Sequence, residues 1–200
     1  MSLTGTILLM FVAYLTGSVP SGYLIGRWVA EVDLRTLGSQ NIGATNVARN
    51  LGMKWGLLVL MMDMSKGALP VALALSIWPA EIKESSIKIA LVALAAFLGH
   101  LSSIFLHFRG GKGVATAFGI SLVLLPKAAF AALAVFLLMT WIWRHVSLGS
   151  ITAAVTLPIW TVVSAYPSAY VGLTCVLALG VLIRHRSNIK ALLKGKERKI

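Results

Sequence analysis

Seven apolar runs follow one another along this 200-residue chain, at residues 3–25, 55–78, 87–106, 114–125, 128–143, 147–165 and 169–183, parted by short polar segments. A helix needs roughly 20 apolar residues to cross the hydrocarbon of a bilayer, and four of the runs reach or approach that length. With 58% of its residues hydrophobic and 12% charged, a soluble domain of this size would lack an interior large enough to hide so much apolar surface. The expected fold is therefore all-α: a polytopic membrane protein of about seven transmembrane helices, with residues 1–200 forming a single integral membrane domain.

Charge placement sets the expected topology. The stretch 114–143 is read as two short spans broken at Pro126 and Lys127, because one long span would put Arg144 and the basic C-terminal segment on the opposite side from Arg109. With two spans, Arg27, Arg49, Arg109, Lys112, Arg144 and the basic residues from Arg184 onward share one side, leaving Lys83, Lys88 and Lys127 on the other. Lys and Arg accumulate in cytoplasmic loops, which predicts an N-terminus outside and a C-terminus in the cytoplasm. No Lys or Arg precedes the first run, so it is expected to remain as a span rather than to act as a signal peptide. Ser18, Gly22 and Gly26 recur every fourth position, a spacing suited to close helix packing. The segment after Asn188 reads as a short basic surface helix.

The net charge of +12 could suggest nucleic acid, but the basic residues stand at the ends of apolar runs rather than on a soluble face. The expected partner is the lipid bilayer, and no nucleic acid. Cys175, the single cysteine, lies within an apolar run, which removes a disulfide framework and a cysteine-based metal site.

Three polar islands interrupt the apolar pattern. Residues 37–49 combine the turn-forming Gly38 and Gly43 with the small polar Ser39, Asn41, Thr45 and Asn46, and end in Arg49, whose planar fork suits phosphate. On a helix, Thr45 and Arg49 share a face. Residues 108–116 present Gly110, Gly111, Lys112, Gly113 and Thr116 at the start of an apolar run, where free amides and a helix dipole favour an anion. A Walker A loop would require Gly at 106 and Ser or Thr at 113, where this chain has Leu106 and Gly113, so ATP hydrolysis is not indicated. Residues 184–188 place His185 and Asn188 on the same side as the other two islands. Within the spans, Asp63 and Lys66 lie three apart, able to pair or to line a polar cavity, and His100 adjoins the glycine-rich segment as a support for it.

Taken together, the motifs Gly-Ser-Gln-Asn-Ile-Gly-Ala-Thr-Asn-Val-Ala-Arg, Asp-Met-Ser-Lys-Gly, Gly-His, Phe-Arg-Gly-Gly-Lys-Gly-Val-Ala-Thr and Arg-His-Arg-Ser-Asn resemble the PlsY-type acyl-phosphate glycerol-3-phosphate acyltransferases of bacteria, in order and over nearly the whole chain. The departure is Gln40, where glycine is usual. The resemblance implies transfer of a fatty acyl group from acyl phosphate to the sn-1 hydroxyl of glycerol 3-phosphate, giving lysophosphatidic acid and phosphate. It implies no metal, no cofactor and no acyl carrier as direct donor, in the bacterial inner membrane with the site facing the cytoplasm. Carried over by position, it implies that Ser39, Arg49, Lys112, His185 and Asn188 line the polar site, with His185, Asn188 and Lys112 catalytic. The His-x4-Asp signature of other glycerolipid acyltransferases is absent, since Phe105, Lys112, Ser150 and Lys190 stand five residues after the four histidines. A transporter of phosphate or a phosphorylated small molecule is the alternative, but it would place its charges near the midplane between repeated halves, and no repeat is visible.

Overall fold

The computed structural model describes residues 3–79 and 82–200, and among them it holds ten α-helices, two 3-10 turns and no strand. The helices are α1 (Leu3–Ser18), α2 (Ser21–Ala30), α3 (Ala44–Leu51), α4 (Met53–Ile77), α5 (Lys83–Leu101), α6 (Val114–Leu124), α7 (Pro126–Trp143), α8 (Val146–Val163), α9 (Ser168–Arg184) and α10 (Arg186–Leu193). All seven apolar runs are helical, and Pro126 at the first position of α7 divides the 114–143 stretch as expected. Five segments are long and apolar enough to cross a membrane: Leu3–Ala30, α4, Lys83–Leu106, α7 and α8. A sixth is reached only if α9 and α10 count as one span bent by 62°. The 11-residue α6 is about 16 Å long, roughly half the hydrocarbon thickness.

The first run is not one helix to residue 25. It breaks at Val19 and Pro20, where proline has no N–H to continue the ladder. Ser18, Gly22 and Gly26 therefore do not form a single stripe, and Gly22 and Gly26 instead admit the loop behind them, at Ile42 and Leu34. The close crossings are made by other small residues. A Cβ at Gly17 or Gly99 would overlap the carbonyl oxygens of Ala96 and Tyr14, so α1 and α5 meet backbone to backbone. Gly67 and Gly119 do the same for α4 and α6, against the carbonyls of Thr116 and Met64. In lipid, where apolar burial between helices gains little, such contact supplies the packing energy.

Val71, Val92, Ala93, Ala96, Phe97, Ile120, Leu125, Ala128 and Leu177 form the buried core where these helices converge. Leu8, Phe11, Leu69, Leu137 and Val162 point outward, as a lipid-facing surface requires. The expected short basic surface helix is present as α10, which begins two residues before Asn188, at Arg186, and buries none of its residues; the chain beyond it turns back, with Ile200 N donating to Arg144 O at 2.9 Å.

Replacing Gly99 by alanine should lower the stability of the detergent-solubilised protein by about 1–3 kcal/mol, because neither backbone can yield without opening the α1–α5 crossing. Thermal unfolding checks this, and an unchanged midpoint would contradict the close crossing.

Candidate functional site

A cavity of about 830 Å³ opens where α3, α4, α6, α7, α8 and α9 face one another. Its mouth is polar, with Ser39, Asn41, Thr45, Arg49, Lys112, His185 and Asn188 in the lining; its inner part is apolar, lined by Leu60, Phe118, Leu133, Phe136 and Leu157 among others. Five residues expected to converge from three separate segments, Ser39, Arg49, Lys112, His185 and Asn188, thus meet on one cavity.

His185 ends α9, and its Nδ1 lies 2.8 Å from Val181 O. A carbonyl can only accept, so Nδ1 carries the proton, and Nε2 of the neutral ring keeps a free lone pair. Burial first, and the charge of Lys112 second, push the imidazole pKa down to about 4. Lys112 Nζ donates to Asn188 Oδ1 at 2.6 Å, and Asn188 Nδ2 donates to Glu197 Oε1 at 2.7 Å. This chain of bonds fixes the Asn188 amide. Burial also lowers the Lys112 pKa, opposed by Glu197.

The glycine-rich segment is built differently from the expected amide cradle. Gly110 N and Gly111 N donate to Leu101 O and His100 O, both at 3.1 Å, so neither is free for an anion. Arg184 holds the other side of the turn, with Nε donating to Gly111 O at 2.9 Å and its terminal nitrogen to Gly110 O. Only Lys112 and Gly113 of this turn reach the cavity. Gly113, at φ 82°, caps the start of α6.

Two further residues expected to bind substrate also hold the scaffold, and of the two Asn46 borders the cavity while Thr116 does not. Asn46 is 3% exposed, and its amide donates to Leu34 O, Leu37 O and Asn41 O while its oxygen accepts from Ser39 N and Asn50. That uses its bonding capacity on the loop. Thr116 is fully buried and does not line the cavity; its hydroxyl donates to Asp63 O at 2.9 Å and lies 3.0 Å from His100 Nδ1. Since that hydroxyl proton goes to a carbonyl, His100 Nδ1–H must donate to Thr116 Oγ1. The Asp63–Lys66 pair is present at 2.8 Å, with both residues buried, and Lys66 Nζ also donates to Val19 O at 2.9 Å. Asp63 and His100 do double duty, since both also border the cavity.

Sequence reasoning missed three contributors. Arg184 stood within the Arg-His-Arg motif but reads there as a membrane anchor. Ser147 carried no local signal at all. Glu197 and its neighbours border the cavity through the returning segment, where Arg49 donates to Lys199 O at 3.5 Å and His145 Nδ1 to Arg198 O at 3.4 Å. Among the described residues, no group of three His, Cys, Asp or Glu is placed to hold a metal ion.

A family model described as glycerol-3-phosphate acyltransferase matches residues 7–195. The chain belongs to the glycerol-3-phosphate acyltransferase family. The protein of that name from Syntrophotalea carbinolica is 45% identical over 98% of this chain and 97% of its own length. The one from Trichlorobacter lovleyi is 47% identical over 94% and 93%. The crystal structure of PlsY, an integral membrane glycerol 3-phosphate acyltransferase, in its glycerol 3-phosphate form superposes with a TM-score of 0.92 at 38% identity, covering 98% of this chain and 96% of that one. Its lysophosphatidic acid form gives 0.89 at 36%, covering 98% and 95%. Membership makes this chain an enzyme of the glycerol-3-phosphate acyltransferase class, and the transporter alternative finds no support in these relatives.

The departure at Gln40 has a physical reading. Its φ of 58° lies in the left-handed region, where a side chain is strained and glycine is not. Gln40→Gly should raise stability by up to about 1 kcal/mol, the relief of strain being partly offset by the freer unfolded chain; a lower thermal midpoint would refute the strain. For His185, an NMR titration should find the ring neutral from pH 7 down to about 4. Because the folded pKa lies below the unfolded one, its contribution to stability is present above about 6.5 and lost as pH falls through about 4. A midpoint near 6.5 would contradict the burial argument.

Proposed function

We propose that this enzyme transfers a fatty acyl group from acyl phosphate to the sn-1 hydroxyl of glycerol 3-phosphate, releasing lysophosphatidic acid and phosphate. The observation that carries the reading is a single cavity joining a cationic mouth to an apolar groove. Both substrates end in phosphate and one ends in a hydrocarbon chain, so that cavity matches the pair. Arg49 and Lys112 supply the charge-assisted contacts to phosphate, with Ser39, Asn41 and Thr45 as smaller donors. The glycerol 3-phosphate and lysophosphatidic acid forms of PlsY support an acceptor and a product of this chemistry.

Acyl phosphate is a mixed anhydride with a good leaving group, so holding the hydroxyl against the carbonyl carbon, with cations at the departing phosphate, supplies most of the acceleration. Neutral His185, with its Nε2 lone pair free, takes the hydroxyl proton, or an oxygen of the substrate's own phosphate does. Asn188, held between Lys112 and Glu197, orients the acceptor hydroxyl.

In this reading residues 1–200 form one membrane domain in the bacterial inner membrane, N-terminus outside, with the mouth facing the cytoplasm. The bonds that tie Arg49, Lys112, Arg144 and Arg184 to one end of the molecule support that orientation, because cytoplasmic faces collect Lys and Arg.

Purified protein in detergent, given palmitoyl phosphate and glycerol 3-phosphate without ATP, metal or acyl-CoA, should form lysophosphatidic acid and phosphate in equal amounts. Arg49→Ala and Lys112→Ala should each lower kcat/KM by roughly 10- to 100-fold, the loss of a charge-assisted hydrogen bond of about 1.5–3 kcal/mol. Unchanged kinetics in both would overturn the phosphate assignment, and near-normal turnover by His185→Ala would leave the substrate phosphate as the base.

A further inference from the structure

The hydroxyls on α8 are of two kinds. Ser150, Thr152, Thr156 and Thr161 each donate to the carbonyl four residues back, at 2.8, 2.9, 3.0 and 2.8 Å. Ser147 does not. It is the second residue of the helix, and the left-handed turn at Arg144, φ 59°, leaves no helical carbonyl four residues behind it. Its Oγ is buried and has no hydrogen-bond partner, although the residue is only 7% exposed. A buried hydroxyl without a partner is costly, and a site that keeps one calls for an explanation.

Its position supplies one. The cavity face of α8 runs Val146, Ser147, Ser150, Ala153, Ala154 and Leu157. Before Ser147 the chain is polar, at Arg144 and His145; after it, the Ser150 hydroxyl is already bonded to its own helix and the lining turns apolar. Ser147 is therefore the last uncommitted donor on α8 before the groove, and the first-turn amides and dipole of an 18-residue helix add positive potential at the same place. Thr140 on α7 also has a buried unpartnered hydroxyl, but it does not border the cavity and is pressed against Gly149.

Where the groove meets the mouth, an acyl phosphate places its carbonyl group. We propose that Ser147 Oγ–H donates to the carbonyl oxygen of the acyl donor and holds the negative charge that develops there during transfer. The inference rests on the acyl-phosphate reading given above. In the step itself, the acceptor hydroxyl oxygen bonds to the carbonyl carbon and the carbonyl electron pair moves onto its oxygen. The pair returns as the carbon–oxygen bond to phosphate breaks, and the hydroxyl proton ends on His185 or on phosphate. Ser147 keeps its own proton and forms no covalent bond. Its donor strengthens as charge builds, so it acts mainly on kcat.

The test compares wild type, Ser147→Ala and Ser147→Cys with palmitoyl phosphate and glycerol 3-phosphate in detergent. Removing one such donor should lower kcat roughly 100-fold in the alanine variant, with KM for glycerol 3-phosphate unchanged. The cysteine variant, with its weaker donor, should fall between the two. Thermal unfolding separates this from a structural role: deleting an unpartnered buried hydroxyl should leave the midpoint equal or higher, whereas a structural serine would lower it. Wild-type turnover in Ser147→Ala overturns the inference, as does a raised KM for glycerol 3-phosphate with kcat unchanged, which would place the hydroxyl on the acceptor. If wild type itself makes no product from palmitoyl phosphate, the donor reading falls and this inference with it.

Discussion

Where α1 stops at Ser18 and α5 stops at Leu101, backbone groups are released inside a molecule that is surrounded by lipid rather than water. Each must find a partner within the protein, because an unsatisfied amide or carbonyl in hydrocarbon costs several kcal/mol. Lys66 meets Val19 O, the hydroxyl of Ser103 meets Ser18 O, and the amides of Gly110 and Gly111 meet the carbonyls at the end of α5. Arg184 meets the carbonyls of Gly110 and Gly111. The irregular backbone at the site exists only because these partners are in place.

That requirement divides the cationic residues into two groups with different work. Lys66 and Arg184 are held by backbone carbonyls and do not border the cavity. Arg49, exposed on α3, and Lys112, half-buried beside Asn188, border the cavity and remain able to meet an anion. The buried Asp63 keeps the charge of Lys66 paired, and through its carbonyl and Thr116 it joins α4 to His100 and the start of α6. A Cβ at Gly111 would overlap the His100 ring, so the glycine there serves the fit of the turn over the ring rather than an amide for phosphate.

Much of this was legible in one dimension. The apolar runs located every long helix, the prolines and glycines located most of the breaks, and the island-forming polar residues led to Ser39, Arg49, Lys112, His185 and Asn188. What misled was the assumption that a polar residue in an island faces a ligand. Thr116 is polar for the benefit of His100, and Asn46 spends its bonds on the loop even though it borders the cavity, and no spacing rule separates a side chain that bonds its own scaffold from one that bonds a substrate. Pro20 lay inside an apolar run, and hydrophobicity does not register a missing N–H.

By itself the sequence determined that the chain is helical, that it belongs in a membrane, and that its basic loops gather on one face, because these follow from composition and from the period of the apolar pattern. The tertiary structure alone decided which polar atoms remain uncommitted. Glu197 reaches Asn188 only because the chain turns back after α10, and the hydroxyl of Ser147 is left without a partner only because Arg144 turns the chain just before α8 begins. Both depend on where hydrogen-bond partners lie in space, and directional bonds between segments far apart in the chain leave no periodic trace in it.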